Sequence, residues 1–338
     1  MKKTVLFLVT LLLTGYFGTA QVLYSEDFDN LTLGDVGTDF TGQQAGQGGW
    51  YTLSQSLAVP ADADNKYFKI VTEPNKGKVL QTTALPDLGI NYIQTRGLDV
   101  LWSNRTTGND VLKVEYDFFT GPHLSINGQN QVLRILSNND FNSTNNNLIT
   151  QVSYTPSLKR FDLRPGTLNM SPSPFPQLNQ NTWYTYVFYI DYTNQKTYFL
   201  IPSLGVKAVY DHPDSILLPS SLLFYHSTSP NQTMKSDYKY DNISISAVNT
   251  VPLSVQDFIS DKFSLYPNPS NNIINITNNE NIGVEQVTIF DVNGKLIKTK
   301  AFNKEHNVQI DVSAFAAGAY LVHIETNKGT AVKKIIKN

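Results

Sequence analysis

The chain has 338 residues, a formal net charge of −2 and no cysteine. This length is enough for one sizeable hydrophobic core and a second, smaller domain. The absence of cysteine excludes disulfides, thiol nucleophiles and thiolate metal sites, and the slightly acidic balance argues against nucleic-acid binding.

The first 20 residues have the pattern of a secretory signal peptide. Lys2 and Lys3 precede an apolar run over residues 5–13, and Gly18 and Ala20 supply the small side chains of a cleavage site. The apolar run is too short to cross a bilayer, and no later run reaches the length that a transmembrane helix needs. We therefore expect a mature chain that begins at Gln21, with no transmembrane span and no lipoprotein anchor.

Residues 21–249, called the cargo below, have the composition of a β protein. The chain holds 18 tyrosines and 18 phenylalanines, and only 16% of its residues are charged, a balance that favours strands. Apolar and polar side chains alternate over residues 111–119, 131–136 and 148–154, as they do in half-buried strands. The pattern predicts one antiparallel β-sandwich over the whole cargo.

Residues 181–191 are apolar or aromatic on both faces, which is typical of a central strand. Together with residues 198–201, this Trp-led segment resembles a hairpin of the concanavalin A-like, laminin-G-like jelly rolls. Residues 24–28 and 240–246 resemble the first and last strands of the same class. The resemblance implies a jelly-roll β-sandwich for the cargo and says little about its activity.

Glu26 and Asp241 lie in those first and last strands. Each is in phase with apolar neighbours, so both carboxylates are expected to point inward, where an unpaired charge is costly. Related carbohydrate-binding modules often hold a structural Ca²⁺ there, and the resemblance implies a site bound by Glu26, Asp241 and backbone carbonyls. The alternative is that both acids lie at strand ends in water or meet a lysine.

Glu115 and Asp117 form an acidic pair on one predicted strand. Jelly-roll glycosidases carry a Glu-x-Asp-x-x-Glu run, in which alternation puts the first two acids on one face of the cleft. The third position is Thr120 here, so the general acid of the retaining mechanism is missing. The sequence favours a non-enzymatic cargo and leaves open a glycoside hydrolase with an atypical site at Glu115 and Asp117. The competing interpretation is a polar face in which Lys113 contacts these acids.

A polysaccharide lyase is the other form of the enzymatic alternative. It would need a tyrosine or histidine base beside arginines and asparagines that neutralise the substrate. Arg134, Arg160, Arg164 and many tyrosines are present, but the sequence alone does not arrange them around one site.

A binding module is the leading hypothesis for the cargo. Exposed aromatic rings stack on sugar faces, and neighbouring amides and carboxylates bind the hydroxyl groups. Trp50 follows a glycine-rich segment and Trp102 precedes Ser103 and Asn104, so both occur in loop-like contexts. We predict that these two tryptophans bind a glycan or an extracellular matrix polymer, with core packing as the alternative.

One short pattern predicts a modification site at Ser215. Asp214, Ser215 and Ile216 resemble the Asp-Ser/Thr-apolar acceptor used for O-glycosylation in Bacteroidetes. The prediction rests on three residues alone.

A domain boundary is expected at residues 250–262, which we interpret as a linker. Beyond it, β-branched runs over 273–276, 284–290, 308–312 and 331–336 are separated by asparagine and glycine turns. At roughly 8 to 12 residues per strand and turn, this spacing predicts a small Ig-like β-sandwich over residues 263–338.

This last segment resembles the type A C-terminal sorting domain of the type IX secretion system of Bacteroidetes. The departure from the usual pattern is Asn271 and Asn272, where many members have a glycine. The matching positions that we take as the sorting signal are Pro267, Asn268, Pro269, Gly318, Tyr320, Gly329, Lys333 and Lys334.

The resemblance implies that the type IX secretion machinery is a partner of this domain. The protein would pass through the periplasm and end outside the cell or on its outer surface. In that family the sorting domain is usually cleaved during release or anchoring of the cargo.

Overall fold

The fold is described from a computed structural model. It describes residues 20–54, 67–84, 90–122, 130–139, 147–166, 168, 171–172, 175–212, 215–227, 236–252, 254–278 and 282–338. The predicted signal peptide lies outside these residues, apart from Ala20.

The described cargo is built almost entirely from antiparallel strands. Its one described α-helix, α1, spans Leu98–Ser103. The strands are β1 Gln21–Glu26, β2 Gly34–Asp35, β3 Thr41–Ala45, β4 Tyr51–Ser54, β5 Phe68–Glu73, β6 Gly77–Ala84, β7 Ile90–Gln94, β8 Val111–Phe119, β9 Asn130–Leu136, β10 Leu148–Thr155, β11 Arg160–Pro165, β12 Ser171–Pro172, β13 Trp183–Asp191, β14 Lys196–Ile201, β15 Val206–Asp211, β16 Ser221–Ser227 and β17 Ser236–Val248.

Two large sheets pack face to face in the cargo. The nine-stranded sheet has the order β15-β14-β13-β8-β17-β6-β5-β2, with β1 paired to β17, and the eight-stranded sheet has the order β12-β11-β10-β9-β16-β7-β4-β3. Both sheets contribute buried apolar side chains to one core. The predicted all-β, jelly-roll-type sandwich is confirmed.

Strand β8 shows how the alternation of the sequence is used. Leu112, Val114, Tyr116 and Phe118 belong to the core between the sheets. The intervening side chains therefore point to the outer face of the nine-stranded sheet, because successive side chains of a strand alternate between faces. This outer face carries the predicted acidic pair.

The C-terminal segment forms a second, smaller sandwich. Its strands are β18 Phe263–Tyr266, β19 Ile273–Asn278, β20 Val284–Asp291, β21 Leu296–Glu305, β22 Val308–Asp311, β23 Gly318–Thr326 and β24 Gly329–Lys337. They form a three-stranded sheet, β18-β19-β22, and a four-stranded sheet, β21-β20-β23-β24. The predicted Ig-like arrangement of short antiparallel strands is confirmed.

A helix that the sequence analysis did not anticipate lies within residues 250–262. Helix α2 spans Val255–Ser260, and Ser254 and Asp257 cap its start reciprocally through side chain and backbone. Serine followed three residues later by an acid is the signal that would have revealed it. Helices α1 and α2 have six residues each, and the described part of the chain contains no helix that could span a bilayer.

The two sandwiches share a continuous hydrophobic cluster. Val187, Tyr189 and Leu200 lie on the outer face of the nine-stranded sheet, and each is at most 2% exposed. They pack with Phe258 and Ile259 of α2 and with the interior of the C-terminal domain. The outer face of the cargo is therefore partly covered by the end of the same chain.

Gly329, at the start of β24, lies in this contact. Its φ is +127°, and a β-carbon built there would lie 3.1 Å from the carbonyl oxygen of Pro202 in the cargo. A larger residue would be strained in its backbone and crowded against Pro202. This glycine of the predicted sorting signal thus has a structural role between the two sandwiches.

Candidate functional site

The outer side chains Lys113, Glu115 and Asp117 of β8 form what we call the acidic strand face. The prediction that Glu115 and Asp117 share one face is correct, since both lie opposite the core-facing side of β8. A cleft of about 750 Å³ borders this face and is also lined by Lys328 of the C-terminal domain. The acids themselves are only 8% and 3% exposed.

Glu115 is held by two lysines, Lys113 on β8 of the cargo and Lys262 directly before β18. Its carboxylate lies 2.5 Å from Lys113 Nζ and 3.0 Å from Lys262 Nζ. Burial alone would raise the pKa of Glu115, but the two ammonium groups outweigh it and lower the pKa to about 2. Glu115 is therefore charged at neutral pH and pairs with the segment that leads into the C-terminal domain.

Asp117 is enclosed by a denser set of donors. Lys76 Nζ lies 2.5 Å from Oδ2 and Lys328 Nζ lies 3.3 Å from Oδ1. Thr185 and Asn242 donate hydrogen bonds of 2.6 Å and 3.0 Å to the same carboxylate. Burial opposes ionisation, but Lys328 and Lys76 hold the pKa of Asp117 well below its usual value.

These contacts argue against Glu115 and Asp117 as the acid and the nucleophile of a glycosidase. A retaining glycosidase needs one carboxyl group that stays protonated near neutral pH, beside an ionised one. Glu115 and Asp117 both have lowered pKa values, and Thr120, at the third position, bonds to the carbonyl oxygen of Asn179 at 2.9 Å. The arrangement matches the competing interpretation of a polar, ion-paired face.

The expected inward direction of Asp241 is wrong. Asp241 lies opposite Asp117 on β8, whereas Ile243 belongs to the core, because a register shift follows Asp241. Asn242 has a φ of +49° at this bulge, and an extra residue flips the side chains before it to the other face. Asp241 therefore points outward and pairs with Lys76 at 3.3 Å.

The described residues around Glu26 and Asp241 do not fit the predicted Ca²⁺ site. Glu26 accepts a hydrogen bond from the backbone of Phe28 at 2.8 Å, while Asp241 has Lys76 as its partner. In the described part of the chain, no three acidic or histidine side chains are grouped to hold a metal ion. Burial raises the pKa of Asp241 to about 6, since Lys76, which also pairs with Asp117, offsets this burial only in part. We propose no metal here.

Trp50 and Trp102 do not have the exposure that sugar stacking requires. Their side chains are 0% and 1% exposed. Trp50 packs against Phe28 and Phe224, with ring centroids about 6 Å apart, and Trp102 packs on Tyr192 at 4.9 Å. Both belong to the core between the sheets, so the alternative that the sequence left open, core packing, applies to both.

The outer face of the eight-stranded sheet carries a different set of side chains. Pairing across strands β11, β10, β9, β16, β7 and β4 aligns six residues in one row, called the arginine row. In strand order the arginine row is Arg164, Gln151, Arg134, Leu223, Gln94 and Tyr51. The row two residues away along each strand, called the tyrosine row, is Asp162, Ser153, Val132, Tyr225, Tyr92 and Leu53.

These two rows lie outside the main core. The row between them contains Leu133, Val152, Leu163, Phe224 and Ile93, all of which pack between the sheets. Alternation therefore directs both named rows to the opposite side. We call this surface, together with Arg96 beyond the end of β7, the tyrosine-arginine face.

Short contacts organise the middle of this face. Arg134 Nε donates to Gln151 Oε1 at 2.7 Å, and the guanidinium of Arg134 lies 4.7 Å from the ring centroid of Tyr225. Tyr225 in turn packs against Tyr92 with ring centroids 5.4 Å apart. Burial raises the pKa of Tyr225, partly offset by Arg134 and Arg164. Tyr92 and Tyr225 are only 7% and 9% exposed and belong to a small hydrophobic cluster on this side of the sheet, whereas Arg134 is half-buried.

The sequence contains Arg134 and Arg164 but does not by itself show that they lie close together. Both stand at outward positions of alternating strands, which is the signal available from sequence. Their alignment depends on the pairing of β9, β10 and β11, and that register is set by turns and loops between the strands. The structure supplies this missing arrangement.

The predicted sorting residues fall into two groups. Pro267, Asn268 and Pro269 are exposed, and the Asn268 side chain joins them to β24 by accepting from Ile336 N at 2.8 Å and donating to the Lys334 carbonyl at 3.1 Å. Tyr320 is buried and its hydroxyl donates to the Ala316 carbonyl. The first group, at the β18 and β24 ends, presents an accessible surface.

Several of the remaining predicted positions are now located. Lys333 is half-buried and Lys334 is exposed on β24, Gly318 begins β23, and Ser215 is exposed before β16. Exposure of Ser215 is compatible with modification. Its role as an O-glycosylation acceptor stays a prediction.

The covered apolar patch of the cargo leads to a first prediction. We expect the isolated cargo, residues 21–249, to be less stable than the mature chain by about 2 kcal/mol, because Val187, Tyr189 and Leu200 would lose their cover. Urea unfolding of both proteins at one pH measures the difference. Greater binding of an apolar dye by the isolated cargo should accompany it, and equal unfolding midpoints and slopes would contradict the prediction.

Comparison with known proteins identifies the C-terminal domain. Residues 264–338 match the family described as the secretion system C-terminal sorting domain, so the predicted sorting domain is confirmed. The match covers less than half of the chain and leaves the cargo unassigned. No curated protein matches the chain.

Solved structures share only a distant similarity with the chain. A sialidase aligns with a TM-score of 0.43 and 12% identity over 67% of this chain, which spans 19% of the sialidase. A carbohydrate esterase of the Shiga toxin-encoding bacteriophage phi24B gives 0.44 and 12%, covering 68% of this chain and 100% of its own. A botulinum neurotoxin serotype D/C binding domain gives 0.41 and 7%, covering 79% and 71%. At these TM-scores the similarities carry no argument about function.

Proposed function

We propose that this protein is exported by the type IX system and that its cargo binds a glycan or an extracellular matrix polymer on the tyrosine-arginine face. The sorting domain implies export out of the cell or to its surface. The cargo would then meet polymers outside the cell. Its binding activity is inferred from the chemistry of the face.

The alignment of the arginine row is the observation that carries this proposal. Five of the six side chains in this row can form hydrogen bonds, the exception being Leu223, and the strands that carry them lie about 4.8 Å apart. Gln94 and Leu223 are fully buried and Gln151 is only 4% exposed. An extended polymer lying across the strands would therefore contact the half-buried Arg164, Arg134 and Tyr51. The half-buried Tyr51 adds aromatic surface, which favours sugar rings, whereas Tyr92 and Tyr225 are only 7% and 9% exposed.

A polysaccharide panel tests the proposal. The chain from Gln21 onward is mixed with insoluble plant, algal and bacterial polymers, and both retained protein and new sugar ends are measured. We expect retention without new ends. Tyr51→Ala should weaken retention about fivefold to tenfold, since it removes one aromatic contact. Gln151→Ala should weaken retention to a similar extent, since it releases the Arg134 guanidinium that Gln151 holds.

The control is Tyr266→Ala in the sorting domain, where the side chain is 52% exposed. This variant loses the same aromatic group without touching the face, so it should be retained like the parent chain. Equal retention of all three variants would reject the tyrosine-arginine face as the binding site. Release of new sugar ends would instead revive the enzymatic alternative.

A further inference from the structure

The outer face of the four-stranded sheet β21-β20-β23-β24 in the C-terminal domain is apolar and accessible. We infer that this surface, called the sorting face, is where the secretion machinery binds the domain, through a contact surface that carries apolar side chains next to carboxylates. This inference rests on the export part of the proposed function and is independent of glycan binding. The family match covers residues 264–338 as a whole, and the inference assigns the contact to one face of them.

Large apolar side chains are exposed on and beside this face. Leu296 is 55% exposed, Leu321 38% and Ile336 36% in the complete chain, so the cargo does not cover them. Val292, in the turn between β20 and β21, and Ile297 of β21 are 69% and 37% exposed. A group of such side chains on one small domain is typical of a surface that binds another molecule.

Strand pairing joins these side chains into one surface. Four residues form a row across β21, β20, β23 and β24. In that order they are Leu296, Phe290, Leu321 and Lys334. Ile336 pairs with Ala319 in the next row on the same side. The alternate residues Ile289, Val322 and Ile335 pack in the interior of the domain, so the two rows point away from it.

An exposed lysine flanks the apolar row at each edge of the sheet. Lys334 ends the row on β24, and Lys295 directly precedes Leu296 on β21. Among the residues that the structure describes, neither lysine side chain forms an ion pair. The nearby carboxylate of Asp291 accepts from the backbone amides of Asn293 and Lys295 and so holds the turn. Carboxylates on a partner would complement both lysines.

These charges also decide between the possible occupants of the sorting face. A second copy packed face to face would bring four lysines around one contact, which like-charge repulsion disfavours. Anionic lipid surfaces are bound by clusters of roughly four to eight basic residues, whereas Lys295 and Lys334 are two. A protein with an apolar and acidic contact surface fits best, and the match to a sorting domain supplies the secretion machinery as that partner.

Export of the full chain tests the role of the apolar row. The chain is expressed from Met1 in a bacterium that has a type IX system, and protein in the medium and on the cell surface is measured against protein retained in the cell. Leu296→Asn and Leu321→Asn should each lower the exported fraction about threefold, and the double variant about tenfold, since each substitution removes an apolar contact. Ile273→Asn is the control, because this side chain is 47% exposed on the other sheet of the same domain. It should be exported like the parent, and a loss equal to that of Leu321→Asn would contradict the sorting face.

Variants of Lys334 test the charge of the partner. Lys334→Glu should lower export more than Lys334→Gln, because carboxylates on the machinery would repel the new charge. Lys304→Glu is the control, since its side chain is 67% exposed near the far end of β21, and it should be exported like the parent. Equal export of Lys334→Glu and the parent would reject an acidic contact surface.

The purified chains separate loss of contact from loss of fold and from other occupants. Thermal unfolding identifies any variant that fails to fold, in which case Leu296→Asn, at the more exposed of the two leucines, decides. Cosedimentation of the parent but not of the double variant with phosphatidylglycerol vesicles would overturn the protein partner in favour of a lipid surface. A dimer of the parent in analytical ultracentrifugation that the double variant lacks would overturn it in favour of a second copy.

The outcomes distinguish this inference from the proposed function. Export of the parent together with equal export of Leu296→Asn, Leu321→Asn and the double variant would reject the sorting face and keep the export route. Retention of the parent inside the cell would reject export by the type IX system, and this inference with it.

Discussion

Replacement of Trp50 by alanine is expected to lower the free energy of unfolding by about 3 to 5 kcal/mol, the usual cost of deleting a large buried aromatic side chain. Trp50 is fully buried and packs against Tyr24, Phe28 and Phe224 from two sheets. The deletion leaves a cavity that these rings fill only in part. Urea unfolding of the parent and variant chains measures the loss.

Val100→Ala is the matched control for this prediction. Val100 is 60% exposed on α1, so its truncation should change stability by no more than about 0.5 kcal/mol. The folded fraction of Trp50→Ala should bind glycan as the parent does. If Trp50→Ala kept the stability of the parent chain but lost glycan binding, Trp50 would be a binding residue and not a core residue.

The sequence was sufficient for the class of each domain because strand alternation is a local property. Residues 111–119 alternate in the sequence, and β8 places Leu112 and Val114 in the core, as predicted. The order of strands is not local. Strand β8 lies between β13 and β17. The sequence does not predict these two neighbours, because the pairing of strands depends on how the complete sandwich packs.

A single bulge explains why the expected inward direction of Asp241 was wrong although the strand itself was predicted correctly. Asp241 and Ile243 are two residues apart, which in a regular strand puts them on one face. The left-handed conformation of Asn242 breaks that rule and sends Asp241 to the outer face beside Lys76. Asparagine tolerates this conformation better than most residues, but the sequence contains many asparagines, so this one carried no distinct signal.

Strand β13 shows a different limit. Its apolar character on both faces predicted a central strand, and β13 does lie between β8 and β14. The outer apolar residues Val187 and Tyr189, however, are buried by the sorting domain and α2. The second apolar face of β13 is therefore buried by contact between domains. The sequence alone could not distinguish this contact from burial within one domain.

Glu115 and Asp117 of the acidic strand face were predicted as a possible catalytic pair. The larger expected effect of Glu115 is on the stability of the folded chain. We expect Glu115→Gln to lower the free energy of unfolding at pH 7 by about 3 kcal/mol, because Lys113 and Lys262 would lose the charge that they neutralise. The pKa of Glu115 is lowered to about 2 in the folded chain from an ordinary value of 4.5. Its contribution is therefore complete above about pH 4.5 and is lost as the pH falls towards 2.

Urea unfolding of the parent and Glu115→Gln chains at pH 7, 5 and 3 tests both the size and the sign of this effect. The advantage of the parent chain should be nearly constant from pH 7 to pH 5 and clearly smaller at pH 3. Glu285→Gln is the control, since Glu285 meets Lys304 at 3.9 Å on the surface and should cost no more than about 1 kcal/mol. A cost for Glu115→Gln that is the same at pH 7 and pH 3 would mean that the ion pairs with Lys113 and Lys262 do not stabilise the folded chain.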